Sequence, residues 1–169
     1  MKTNIPARIV TLLLVLFLFF LSGCRNYLVP EVGALSKENA RIDFPEDGVQ
    51  GALWKGKHMD VHYSISQKSG GFTISGTVAI HDSVLMSFDN VKQLVVKFNF
   101  LDNSGRVLGT ADITPRYSTY DKVDGPLDFN TVAAPPPGTS YFAFSYFGIF
   151  FGRLDESTDD WEIFHFPFD

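Results

Sequence analysis

From Met59 onward the apolar residues of this chain fall at every second position, a spacing that selects β-structure over helix. Met59, Val61, Tyr63 and Ile65 alternate with Asp60, His62, Ser64 and Ser66, the pattern of a strand with one face in a core and the other in water. Phe72, Ile74, Gly76, Val78 and Ile80 resume it after Lys68-Ser69-Gly70-Gly71, so a hairpin is expected there. Leu94, Val96, Phe98 and Phe100 form a third apolar row, opposed by Gln93, Lys97 and Asn99. Asp102-Asn103-Ser104-Gly105 then turns the chain into a partner strand over residues 107–113, with Gly109 and Ala111 keeping its inward side small. Residues 117–126 read as loop and 127–132 as a short strand.

Pro135-Pro136-Pro137-Gly138 punctuates the chain before Tyr141–Phe151. That run is apolar at nearly every position, too short to cross a bilayer as a helix, and rich in aromatic residues that favour strands. Two readings fit it: a central strand buried on both faces, or a strand whose exposed aromatic strip binds a protein, glycan or lipid. Residues 161–168 close the chain as a final aromatic strand. With no convincing long helix, the expectation is an all-β fold, an antiparallel β-sandwich of about seven strands over residues 51–169. A small barrel is the alternative.

Composition narrows the function. Phe is frequent and outnumbers Tyr and Trp together, 17 against 8. A net charge of −5 argues against nucleic-acid binding. A single Cys excludes an intramolecular disulfide and a Cys-rich zinc module.

The first residues describe an export signal. Lys2 and Arg8 precede 13 almost unbroken apolar residues at positions 9–21. As a helix that stretch reaches about 20 Å, short of a bilayer core of about 30 Å. It ends in Leu21-Ser22-Gly23-Cys24, which resembles the bacterial lipobox at all four positions. The resemblance implies cleavage before Cys24, a diacylglyceryl thioether on its sulfur and acylation of the new amino group. It also implies, through Arg25 in place of Asp, an outer-membrane lipoprotein facing the periplasm. Residues 1–23 would leave as signal peptide, taking two positive charges and leaving a mature net charge of −7. Residues 24–50, where Pro30, Gly33, Pro45 and Gly48 interrupt any period, are expected to form a flexible tether.

Phe98-Asn99-Phe100-Leu101-Asp102, with Gly105 and Val107-Leu108-Gly109-Thr110 behind it, resembles the FxLYD domain. That family is an immunoglobulin-like sandwich of bacterial and archaeal envelope or secreted proteins. Gly76-Thr77-Val78 and Pro137-Gly138 followed by Phe142 and Phe144 extend the likeness over residues 76–147. Phe100 and Leu101 replace the family's Leu and Tyr, and Ile80 stands where Asn is usual. The resemblance implies an immunoglobulin-like fold and a binding or spacer module without a catalytic centre.

Few constellations carry chemistry. His58, Asp60 and His62 would share one strand face at about 6.5–7 Å intervals, with His81 across the hairpin. His and carboxylate ligands suit zinc, nickel or copper; the plainer reading is the solvent face of an amphipathic strand. Asp155, Glu156, Asp159, Asp160 and Glu162 read as a solvated acidic loop or a weak calcium loop lacking regular ligand spacing. There is no Gly-x-Ser-x-Gly elbow and no glycine-rich phosphate loop, so neither enzymatic activity nor a cofactor is expected. The whole points to a membrane-anchored envelope lipoprotein presenting a non-catalytic sandwich to a protein partner or as a structural module. A small-ligand or metal-binding lipoprotein is the alternative.

Overall fold

The computed structural model describes residues 29–45, 50–68, 71–152 and 160–169. Cys24, the signal segment and Asp155, Glu156 and Asp159 lie outside them. Nine strands occur among the described residues: β1 (Ile42–Asp43), β2 (Gln50–Lys55), β3 (Met59–Lys68), β4 (Gly71–Ile80), β5 (Asn90–Leu101), β6 (Val107–Asp112), β7 (Leu127–Ala133), β8 (Tyr141–Phe151) and β9 (Asp160–His165). A 3₁₀ turn (Glu38–Ala40) and one short helix, α1 (Asp82–Leu85), complete the elements.

Two antiparallel sheets pack face to face as a sandwich. One runs β2-β3-β4-β7; the other runs β8-β5-β6, with both β1 and β9 on the free side of β8. The chain makes the β3–β4 hairpin, crosses for β5 and β6, returns for β7 beside β4, then crosses again for β8 and β9. This is a Greek-key succession of the immunoglobulin-like kind, and its seven strands are the seven expected. The sandwich carries two more: β1, from the stretch expected to be a tether, and β2, at the very start of the expected domain.

Alternation explains which side of each strand is buried. Met59, Val61, Tyr63 and Ile65 of β3 meet Val96, Phe98 and Phe100 of β5 and Phe142, Phe144, Tyr146 and Phe150 of β8 in one continuous core. At its centre Phe98 and Phe142 stack, with ring centroids 4.4 Å apart and planes 13° from parallel. Phe144 stands edge-on to both, at 5.7 Å and 5.6 Å. Tyr63 reaches across from the other sheet to touch Phe142 and Phe144 at 5.6 Å and 5.3 Å. Edge-to-face and offset contacts of this kind add to the burial of large apolar rings. The buried reading of Tyr141–Phe151 therefore holds for its even-numbered residues.

The odd-numbered side of β8 explains the N-terminal difference. Leu101, Val107, Ala143 and Phe168 form a second cluster on the outer face, joined by Ala34, Tyr141 and Phe166. Residues 33–37 lie there, clamped between the β5–β6 turn and the C-terminal tail. Gly33 N–H donates to Val107 O (2.8 Å), Val107 N–H to Ala34 O (2.9 Å), Ser36 N–H to Gly105 O (2.9 Å) and Lys37 N–H to Pro167 O (2.9 Å). Arg41 fastens the segment by donating to Ser36 Oγ (3.0 Å) and Ser36 O (2.8 Å). Its guanidinium lies where a Cβ on Gly105 would be, and Gly105 has φ +84°, so this turn position requires glycine. Isolated short segments are marginal in water; these hold because they complete a core started by the sheet. The expectation of a tether over 24–50 is corrected for residues 29–45, which belong to the domain.

Beneath that cluster Asn99 is fully buried. Its amide donates to Ala143 O (3.1 Å) and Ser145 Oγ (3.0 Å), and its carbonyl accepts from Thr110 Oγ1 (2.9 Å). A satisfied buried amide of this kind fixes strand register. Phe98→Ala empties the centre of the inter-sheet core and is expected to cost about 3–5 kcal/mol. Equilibrium urea unfolding measures it, and a loss below about 1 kcal/mol would show that the stack is not the centre of the core.

Candidate functional site

Two surfaces hold the residues singled out from the sequence: the strand ends near His58 and the outer face of the β8 sheet. At the first, the chain bends between β2 and β3. Gly56 N–H donates to Met59 O at 2.9 Å, and a Cβ on Gly56 would collide with that carbonyl and with the Trp54 ring. The bend turns His58 inward, out of the alternation that carries Asp60 and His62. Its Nδ1 shares a 2.9 Å hydrogen bond with the Tyr146 hydroxyl from the opposite sheet. Asp60 Oδ1 meets His81 Nε2 at 2.9 Å instead, and His62 stands exposed beside Ser64 and Thr77. The three residues expected on one face thus go to three separate environments. Among the described residues no group of three or more His, Cys, Asp or Glu side chains could hold a metal ion.

Sequence reading missed the partner of this His58 site. His165 lies opposite Tyr146 on β9, facing inward, stacked on the Tyr146 ring at 5.7 Å and tilted against Trp54 at 5.3 Å. Trp54 in turn packs on Phe144 at 5.1 Å. The signal was present: in Trp161-Glu162-Ile163-Phe164-His165, alternation puts Trp161, Ile163 and His165 on one side. Burial pushes the His165 pKa below its ordinary value, with Lys37 and His58 adding to the effect. Burial does the same to His58, helped by Lys57 and His81. Burial also pushes the Tyr146 hydroxyl up to about 12. At neutral pH this is a neutral, hydrogen-bonded aromatic seam joining the β2 and β9 sides of the two sheets.

The second surface is the far half of the same outer sheet face that residues 33–37 cover near the β5–β6 turn. Val95, Phe147 and Phe164 sit opposite one another on β5, β8 and β9, all pointing away from the core. Phe164 is 68% exposed, and Ile149 and Phe151 extend the row as half-buried neighbours. Tyr120, from the loop after β6, leans on Phe151 at 5.6 Å. Of the acidic group, Asp160 and Glu162 are described, both exposed on β9; Asp160 accepts a 2.7 Å hydrogen bond from Lys92 Nζ.

A cleft of about 510 Å³ opens beside α1 and the loop before β7, among Asp82, Met86, Asp89, Lys122 and Asp124. Lys122 Nζ lies 3.6 Å from carboxylates of both Asp89 and Asp124, one lysine among three carboxylates, so the cleft carries an excess of negative charge. Among the described residues no helix is long and apolar enough to cross a membrane.

The seam makes stability depend on pH. His58 and His165 have folded pKa values below the unfolded value near 6.5, so the unfolded chain takes up their protons first as the pH falls. Their contribution is fully present above about pH 6.5 and is lost as the pH drops through their lowered folded values. Asp102, whose carboxylate is stabilised by the Ser104 hydroxyl and the Arg106 amide, acts in the same direction only below about pH 4. The thermal midpoint is therefore expected to fall between about pH 7 and pH 5. A His58→Gln/His165→Gln double variant should show a flatter profile over that range; an unchanged slope would remove the two imidazoles as its source.

No family model, no curated protein and no solved structure matches this chain.

Proposed function

We propose that this protein is an envelope lipoprotein, acylated at Cys24 and held on the periplasmic side of a bacterial outer membrane, that presents a non-catalytic β-sandwich to a protein partner. The anchor rests on the Leu21-Ser22-Gly23-Cys24 motif behind a short apolar run. The observation that carries the interaction reading is the half-covered outer face of the β8 sheet. Near the β5–β6 turn the domain covers that face with its own residues; farther along, Phe164 is exposed and Val95 and Phe147 beside it are only half-buried. A contiguous exposed apolar patch is the usual mark of a protein contact, and Phe and Tyr are enriched in interface cores. Anchoring raises the concentration of such a face at any partner in the same membrane or its immediate surroundings. A resemblance to FxLYD domains, which serve as binding or spacer modules, points the same way.

The two halves of the proposal separate experimentally. Cys24→Ala is expected to abolish lipid labelling of the chain and move it from the membrane to the soluble envelope fraction; persistence in the membrane would overturn acylation as the anchor. A photo-crosslinking residue at position 164 is expected to yield a discrete adduct in intact envelopes, and one at His62, on the other sheet, none. Equal adducts at both positions, or none at 164, would overturn the assignment of the face. Phe164→Ser is expected to change stability by about 0.5 kcal/mol or less, because the ring is mostly in solvent; with the photo-crosslinking residue moved to Glu162, exposed on the same face of β9, loss of the adduct in that background reports contact rather than folding.

A further inference from the structure

The first described residues lie on the domain itself, which limits how far any anchor at Cys24 could stand from it. Residues 33–37 are hydrogen-bonded to Gly105, Val107 and Pro167, and Pro30 is already buried. Between Cys24 and Val29 the chain can reach at most about 18 Å. An anchored chain therefore holds this corner of the domain within about that distance of the lipid, where a tether over residues 24–50 would have allowed several times more.

The same corner carries apolar side chains that the fold leaves partly or mostly exposed. Val29, Val32 and Leu35 are 38%, 76% and 37% exposed. Val32 stands on a tight turn, closed by Ala34 N–H donating to Glu31 O at 3.0 Å. Beside it Arg106 donates from its guanidinium to Gly33 O at 2.9 Å. Lys37, Glu31 and Glu38 are exposed nearby, so charge on the segment is mixed and apolar contact dominates. The opposite end differs. β5 runs from Leu101, beside this corner, to Asn90, beside α1, a length of about 36 Å. That far end exposes Asp82, Asp121 and Asp124 as well as Met86; Lys92 pairs with Asp160 and Lys122 with Asp89 and Asp124, which leaves acidic charge in excess, and acidic side chains are repelled by anionic lipid.

We propose that the corner formed by Val29, Val32, Leu35 and Arg106 rests on the lipid surface, so that the sandwich stands with α1 directed away from the membrane and the Phe164 face open at its side. The proposal depends on the anchoring at Cys24 argued above. Three partly exposed aliphatic side chains bind a bilayer weakly by themselves, but a tether of this length makes the contact intramolecular. Because the contact is apolar, it should be nearly insensitive to salt, unlike docking through a basic patch.

Acylated full chain, reconstituted into vesicles of phosphatidylethanolamine and phosphatidylglycerol carrying nitroxide-labelled lipid, tests it. Val32→Cys and Met86→Cys variants each accept one fluorophore, since acylation consumes the native thiol. Quenching is expected to be several-fold stronger at position 32 than at 86, and unchanged on raising the salt. Equal quenching at the two positions, stronger quenching at 86, or loss of the difference in high salt would overturn the orientation while the acyl mass, read independently, leaves the anchor standing. An unacylated mass would overturn both. Shielding of position 32 in a Cys24→Ser chain without vesicles, together with a dimer mass, would assign the corner to a second copy of this chain and overturn the lipid contact.

Discussion

β8 is hydrogen-bonded along one edge to β5 and along the other to β1 and β9, and the rest of the structure is arranged around burying its inner face and part of its outer one. Its even-numbered rings fill the inter-sheet core, where Phe142 stacks on Phe98 and Tyr63 closes from the opposite sheet. Its odd-numbered residues begin small, with Ala143 and Ser145, and so admit the segment at 33–37 and the tail at 167–169 on the outside. A strand of eleven residues flanked on both edges cannot expose a long apolar outer face to water without consequence. The domain covers half of that face with its own ends and leaves the other half only partly covered, with Phe164 exposed beside it.

That division connects fold to function. The covered half welds the first described residues to the domain and so shortens any link to Cys24. The other half offers Phe147 and Phe164 beyond the reach of the welded segments. Both follow from one strand's composition, and under the proposed function they would give the two surfaces different tasks: one toward the lipid, the other toward a partner. The aromatic seam of Trp54, Tyr146, His58 and His165 is separate from both. It ties the β2 and β9 sides together, and its two neutral imidazoles make that tie weaken as the pH falls.

Much of the sandwich was legible from period-two spacing alone. The hairpin of β3 and β4, the pairing of β5 with β6, and Tyr141–Phe151 as a strand all emerge at nearly the expected residues, because each pattern is local and strongly apolar on one side. β1 and β2 were not legible: Ile42 and Asp43 make a two-residue strand, and Leu53 and Trp54 are too few to establish a period. Residues 29–45 were likewise read as tether, since scattered Pro and Gly with isolated apolar residues describe a loop whether or not another surface receives it. At His58 the alternation misled, because a bend held by Gly56 turns that side chain into the opposite sheet.

The sequence by itself determined that the chain is a β-sandwich, and it holds Leu21-Ser22-Gly23-Cys24, which resembles a lipobox, because alternation and a four-residue pattern are properties of neighbouring positions. Only the tertiary structure decided that residues 29–45 belong to the domain, which half of the outer face its ends cover, and that His58 and His165 share one ring of Tyr146. Those outcomes depend on contacts between residues far apart in the chain, and no local pattern encodes what a side chain meets across 88 positions.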